Sequence, residues 1–263
     1  MSGVRFRAGG RTEIGSHRRA NEDHLLIDST VGLCAVFDAG GSWGDGPSRA
    51  GAVGADIIQR TIREGLEGSP DPRTLIERAF RTASETFRTQ PDEDGCAWGA
   101  SVALALVRSD RVFLSWLGDA MTHRVTGERI EPLTRPHTAW NELVRRGAID
   151  DTNATDANPN LRNVLIYVLG GEVPAPLEII SLTPLPGDRL ILTTDGITNH
   201  IPDSTILTAC RTISDTTTCA EAIIEHAILA GSRDNCTCAV IAFEGPETPF
   251  RREPPRKWWQ LWK

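Results

Sequence analysis

Three times in this chain a strand-length apolar run stops at or just before an aspartate: Leu33 to Phe37 before Asp38, Val112 to Leu117 before Asp119, and Leu190 to Thr194 before Asp195. Short runs that alternate or stay apolar read as buried strands. A buried strand end is a rigid mount, so the recurrence sends three carboxylates to sheet edges. Asp234 repeats the pattern from the other side, because Gly231-Ser232-Arg233-Asp234-Asn235 leads directly into the apolar run Cys236 to Phe243. A single aspartate at a strand end is more often a turn former. Repetition is what gives the signal its weight here.

Between these strands the spacing of Ala50, Val53, Ile57, Ile58, Ile62 and Leu66, and then of Leu75, Ile76, Ala79, Phe80, Ala83 and Phe87, predicts two neighbouring amphipathic helices. Ala220, Ile223, Ile224, Ala227 and Ile228 predict another. Ala100 to Val107, Val112 to Leu117 and Met121 to Val125 follow one another through short turns, which implies a meander with antiparallel pairing. Strand runs interrupted by helix pairs favour an α+β sandwich over a doubly wound parallel sheet. The stretch from Asp150 to Asn163 is rich in Asp, Asn and Thr and reads as a loop or flap.

A length of 263 residues with 40% hydrophobic and 24% charged content suits one globular core. Composition turns to Pro, Arg and Trp near the C-terminal side, dividing the chain into a domain over 1–246 and a tail over 247–263. The formal net charge of -7 argues against general nucleic-acid binding, which needs clustered cations. No secretory signal or apolar span of membrane length is present, and Cys34, Cys96, Cys210, Cys219, Cys236 and Cys238 lie mostly in apolar runs. These features predict reduced core cysteines in a cytoplasmic protein. Cys236 and Cys238 share a strand face without a second Cys or His pair to complete a zinc site.

Carboxylates gathered at one sheet edge repel one another. A pair about 4 Å apart costs roughly 4 kcal/mol at an effective dielectric of 20, so several together call for bound cations or raised pKa values. Hard oxygen ligands suit Mg²⁺ or Mn²⁺. Asp23, Asp38, Asp119, Asp195 and Asp234 are the candidates.

The stretches Arg18-Arg19-Ala20-Asn21-Glu22-Asp23, Ala35-Val36-Phe37-Asp38, Leu117-Gly118-Asp119, Asn141 to Gly147, Leu192-Thr193-Thr194-Asp195-Gly196 and Ser232-Arg233-Asp234-Asn235, in this order, resemble the PP2C-type metal-dependent protein serine/threonine phosphatases, above all compact bacterial members. The resemblance covers roughly residues 10 to 243. It implies a four-layer α-β-β-α sandwich, with two central, mainly antiparallel sheets flanked by helices. It further implies hydrolysis of phosphoserine and phosphothreonine monoesters by a water bridging Mn²⁺ or Mg²⁺, two ions with a third as an option. Asp38 would bridge the metals and Ala39 would lend its carbonyl. Asp195 and Asp234 would complete the first metal, Glu22 and Asp23 would hold metal-bound waters or a further ion, and Asp119 would hold the third metal. Arg18 would grip the substrate phosphate with its planar fork. The implied partners are phosphorylated proteins, substrates of a serine/threonine kinase.

The pattern departs from the family in places. Asp38 is followed by Ala39-Gly40-Gly41-Ser42-Trp43, without the histidine that other members are thought to use to protonate the leaving alkoxide. Ala120-Met121 stands where Ser-Arg is usual, and Asn199 where an acid is usual. These changes motivate an alternative: a catalytically weak, phosphoprotein-binding or regulatory module. A hydrolase of small phosphoesters would use the same site. His17, His24, His123, His200 and His226 read as isolated surface or core residues; His137 reads the same way, with a supporting role near the site as the alternative. Trp43, Trp98, Trp116 and Trp140 read as packing residues. The tail, with Arg251, Arg252, Arg256, Lys257, Lys263 and three tryptophans, suits an anionic membrane interface, a partner groove or a free end.

Overall fold

The computed structural model describes residues 4–39, 48–68, 71–89, 99–150, 158–171 and 176–244. Strands β1 (Arg5–Glu13), β2 (His24–Asp28) and β3 (Leu33–Asp38) are followed by helices α1 (Ala50–Leu66) and α2 (Pro72–Thr89). Then come β4 (Ser101–Arg108), β5 (Arg111–Leu117), β6 (Met121–Thr126), β7 (Arg129–Pro132), α3 (Ala139–Arg145) and a 3-10 turn at Pro159–Asn163. The chain continues through β8 (Ile179–Leu182), β9 (Arg189–Thr193), the short α4 (Asp195–Thr198), α5 (Asp203–Thr212), α6 (Thr216–Leu229) and β10 (Cys236–Glu244). Two five-stranded sheets result, ordered β1-β10-β9-β6-β7 and β2-β3-β4-β5-β8, with every strand pair antiparallel.

Strand side chains alternate between faces, and the apolar patterns settle what each face covers. On β3 and β4, Leu33, Ala35, Phe37, Val102 and Leu104 pack against the apolar stripes of α1 and α2. The intervening Cys34, Val36, Ala103 and Ala105 face the other sheet and meet Leu190, Leu192, Ala239 and Ile241. On the far side of that second sheet, Ile191, Val240, Cys236 and Cys238 pack under α5 and α6. A strand buried on both faces must be apolar throughout, which is why these runs are continuous rather than alternating. The order is therefore helix, sheet, sheet, helix. Cys34, Cys210, Cys219, Cys236 and Cys238 are free and buried, and Cys96, Trp43 and Trp98 lie outside the described residues. No helix among the described residues is long and apolar enough to cross a membrane.

Two buried carboxylates tie the layers together. Asp28, at the end of β2, accepts from Arg63 Nε (2.6 Å) and Gln59 Nε2 (3.0 Å) of α1 and from Thr30 Oγ1 (2.6 Å). Burial opposes its ionisation, but these donors outweigh it and hold the carboxyl well below the usual range. Asp188 accepts from Arg124 Nη2 (2.5 Å), Thr126 Oγ1 (2.8 Å) and the Leu185 N–H (2.8 Å), pinning the start of β9 to β6.

The meander expectation fails at one step. β4 and β5 form a hairpin, but β6 pairs with β9 and β7 in the opposite sheet. The chain crosses between sheets at Gly118-Asp119-Ala120, where Gly118 adopts φ +79. A three-residue gap looks like a hairpin in sequence, and only the stacking of the sheets reveals a crossing. Strands β1 and β7 carry too many charged or small residues for a clear period of two, β2 and β8 are too short to show one, and all four are held by neighbours. In β1, Gly9 faces α6, and a Cβ there would strike Thr216 and Thr217. Helix α6 therefore rests directly on the β1 backbone. Gly9→Ala should destabilise the fold by about 1–3 kcal/mol through overpacking at that contact. Chemical denaturation would show a lower midpoint with an unchanged slope.

Candidate active site

The carboxylates picked out by sequence converge where the ends of β3, β9 and β10 meet the β5–β6 crossing. Asp38, Asp119, Asp195 and Asp234 are each partly exposed, while Asp23 is buried at 7% exposure. The Asp38 and Asp195 carboxyls lie close enough to act on one another directly, raising Asp38 and lowering Asp195 through that contact. Asp195 opens α4, so it sits at a helix N-terminus, and its Oδ2 accepts from Asn199 Nδ2 (3.1 Å). Asp119 Oδ1 accepts from Ser101 Oγ at 2.8 Å. Arg18 Nη2 donates to Asp234 Oδ2 at 2.7 Å, so the arginine expected to hold phosphate leans against this cluster with its side chain 48% exposed. Glu22 points elsewhere and accepts from the Ser48 N–H ahead of α1. Ala39 is buried, and the residues following it, 40–47, lie outside the described residues.

Asp28 and Asp188 each have an arginine beside them, whereas Asp23, Asp119 and Asp195 are held by hydroxyls and amides, with Arg18 on Asp234. Burial, then the charges of Asp23, Asp195 and Asp119, push the Asp38 carboxyl well above the ordinary range. Burial, then Asp119, lift Asp195 to about 6. Burial lifts Asp23 to about 7 against two opposing hydrogen bonds, from Thr237 and Thr194. Asp119 is raised as well, by burial first. Like charges held this closely demand positive charge or protons, and an all-oxygen donor set suits a hard divalent cation. The side chains do not yet close on a single point: among the described residues, no three Asp, Glu, His or Cys groups form a ready-made chelate. Asp38 and Asp195 are the closest pair of the group, so these two would be the first to hold a cation between them.

Several contacts that hold the site in place are not visible in residue order. Thr194 and Thr237 each donate to Asp23 Oδ2 at 2.8 Å from adjacent strands. Asn235 Nδ2 donates to the Ile14 carbonyl (2.9 Å) and the Ala20 carbonyl (3.1 Å), while its Oδ1 accepts from the Glu22 N–H (2.9 Å). It thereby staples the Arg18-bearing loop to the start of β10. Asn235 was legible as part of a motif, but its partners are more than 200 residues away. The His137 N–H donates to the Gly118 carbonyl (2.8 Å) and its ring stacks on Trp116, which supports the crossing beside Asp119. Trp140 is buried with the Arg162 guanidinium 3.7 Å over its ring. A groove of about 580 Å³ opens beside the carboxylates, lined by Asp119, Asp195, Asn199, Met121, Asp203 and Arg162.

A raised carboxyl favours the folded state as pH falls, because the native protein keeps a proton that the unfolded chain releases above about 4. In metal-free protein, Asp23 therefore costs stability as pH rises from 5.5 towards 7. The wild type should gain about 2 kcal/mol relative to Asp23→Asn on going from pH 7 to pH 5.5, since each unit crossed is worth about 1.4 kcal/mol. Thermal unfolding of both proteins in chelator checks this. Parallel pH profiles would contradict the assignment.

Compared with known proteins, residues 15–226 match the family model for protein phosphatase 2C. The serine/threonine phosphatase stp of Listeria monocytogenes is 24% identical over 243 residues, covering 88% of this chain and 93% of that protein. PppA of Pseudomonas aeruginosa superposes with a TM-score of 0.75 at 22% identity, over 91% of this chain and 99% of that one. The catalytic domain of the serine/threonine protein phosphatase PstP, solved in complex with two manganese ions, superposes with a TM-score of 0.71 at 22% identity, again over 91% and 99%. The structural likenesses carry the fold, and the family model spans most of the chain. This protein belongs to the protein phosphatase 2C family.

Proposed function

We propose that this protein is a metal-dependent serine/threonine protein phosphatase. The observation that carries the reading is the contact of Asp38 with Asp195, ringed by Asp23, Asp119 and Asp234 and with Arg18 in reach. Relatives named as serine/threonine phosphatases, one of them carrying two manganese ions, support it. The ion is Mn²⁺ or Mg²⁺, with Asp119 available for a third. The working surroundings are the cytoplasm, and the substrates are proteins phosphorylated by a serine/threonine kinase.

The proposed roles draw on the arrangement of the carboxylates and Arg18. Asp38, beside Asp195 and acted on by Asp23 and Asp119, would be the central carboxylate holding the cations. Asp195 and Asp234 would complete the hold on the first cation, with the Ala39 carbonyl and Glu22 available at the rim. Bound there, divalent cations lower the pKa of coordinated water towards neutrality and offset charge on the phosphoryl oxygens. Arg18 is the chain's own phosphate grip. Its exposed guanidinium leaves Asp234 when a phosphate arrives, presenting two parallel donors to two oxygens. Asp23, fixed by Thr194 and Thr237, keeps negative charge behind the cations without touching substrate. Asn235 keeps the Arg18 loop at the right height.

Phosphate release from a phosphothreonine peptide, with and without Mn²⁺, tests the reading. Asp38→Asn should lower kcat/KM by about 10³-fold or more, since metal stabilisation is worth several kcal/mol. Arg18→Ala should cost about 10–100-fold, mostly in KM for the peptide, as charged hydrogen bonds of about 1.5–3 kcal/mol imply. A metal-loaded, folded protein that leaves both this peptide and an aryl phosphate intact would instead support the phosphoprotein-binding module. Turnover of the aryl ester alone would point to small phosphoesters.

A further inference from the structure

Away from the carboxylates, α6 and β1 enclose a groove of about 440 Å³ that the proposed chemistry leaves unused. Its floor is Ile224, Ile228 and Leu229, and Leu229 is 76% exposed, the most exposed large apolar side chain among the described residues. Its rim is acidic. Glu13, Glu221 and Glu225 face one arginine, Arg11, which is already bonded to Glu13 through Nε at 2.8 Å. An apolar slot with surplus negative charge selects a ligand that is aromatic or aliphatic and also cationic.

The chain contains such a segment. Residues 245–263 hold Phe250, Trp258, Trp259, Leu261 and Trp262 among Arg251, Arg252, Arg256, Lys257 and Lys263. With Glu247 and Glu253 as the opposing side-chain charges, the segment carries +3. Reach is ample. The β1–β10 register places Glu244 opposite Arg5, and Arg11 opposite Cys238. The six residues from Arg5 to Arg11 on a strand span about 20 Å. Trp258, fourteen residues past Glu244, can lie up to about 45 Å away.

We propose that the tryptophan-rich tail over 247–263 docks on its own domain, with indole rings against Ile224, Ile228 and Leu229 and its cations against Glu221 and Glu225. A membrane or a second copy of the chain is the competing occupant. Among these, the groove matches the tail in both sign of charge and apolar character, within reach of a single chain. Glu13 lies two residues before Gly15 and five before Arg18, so the docked tail sits at the root of the loop that carries the phosphate grip.

The sequence supplies its own reporter, because Lys257 and Lys263 are the only lysines in the chain. A zero-length carbodiimide joins a lysine amine to a carboxylate in contact with it. Applied to the full chain, followed by peptide mass spectrometry, it should give amides from Lys257 or Lys263 to Glu221, Glu225 or Glu13. Mixing light and heavy isotope-labelled protein assigns each amide to one chain or to two. The yield should fall at least fivefold in Leu229→Arg, which keeps every carboxylate. It should fall equally in the triple variant Trp258→Ala, Trp259→Ala, Trp262→Ala, which keeps both lysines and leaves the described core untouched. Amides scattered over other acidic residues, or none, would overturn the proposal. Mixed light–heavy amides alone would replace it with a dimer contact. Tail-dependent binding to phosphatidylserine vesicles, with no amide at the groove in their absence, would assign the tail to lipid.

Discussion

The structure is organised around a repulsion. Five aspartates are brought to one edge of the sandwich, and four of them are pushed to higher pKa, with burial the leading cause in each. Bringing two such charges to about 4 Å costs roughly 4 kcal/mol even at an effective dielectric of 20. No single element could impose that. Asp38 comes from one sheet, Asp195 and Asp234 from the ends of strands in the other, and Asp119 from the crossing between them. The dry interface between the sheets, where Val36, Ala103 and Ala105 meet Leu192, Ala239 and Ile241, holds the four in register. Apolar burial supplies the force that the carboxylates resist.

The same side chain plays two different parts in this fold. Asp28 and Asp188 are more deeply buried than Asp38 or Asp195, yet each has an arginine and further donors around it, and both serve as ties between elements. At the active edge the carboxylates face one another, with hydroxyls from Ser101, Thr194 and Thr237 as their neutral support. A hydroxyl fixes a carboxylate in position without neutralising it. The cluster thus stays hungry for cations while its geometry is kept, and perturbed groups beside a groove mark a functional site.

The molecule also separates its chemistry from its attachments. The carboxylate edge and its groove lie where the ends of β3, β9 and β10 meet the β5–β6 crossing. The acid-rimmed slot lies on the outer helical layer, against β1. They are linked by the segment from Glu13 to Asp23, which leaves β1 at the slot, carries Arg18, and is stapled by Asn235 before entering β2.

Much of this was readable from residue order. Continuous apolar runs announced β3, β5, β9 and β10, because strands covered on both faces leave no polar positions, and the 3.6-residue stripes of α1, α2 and α6 announced the outer layers. The aspartates that stop those runs pointed to the carboxylates that converge, since a strand end fixes where its next side chain points. Tertiary structure decided the rest. It sent β6 to the opposite sheet, paired glycine-bearing β1 with β10, gave Thr194, Thr237 and Asn235 their partners, and turned Glu22 towards Ser48. Those outcomes rest on contacts between residues far apart in the chain, whose side chains are ordinary in their local context. Sequence periodicity reports what an element buries; which element it buries against is settled only when the layers close.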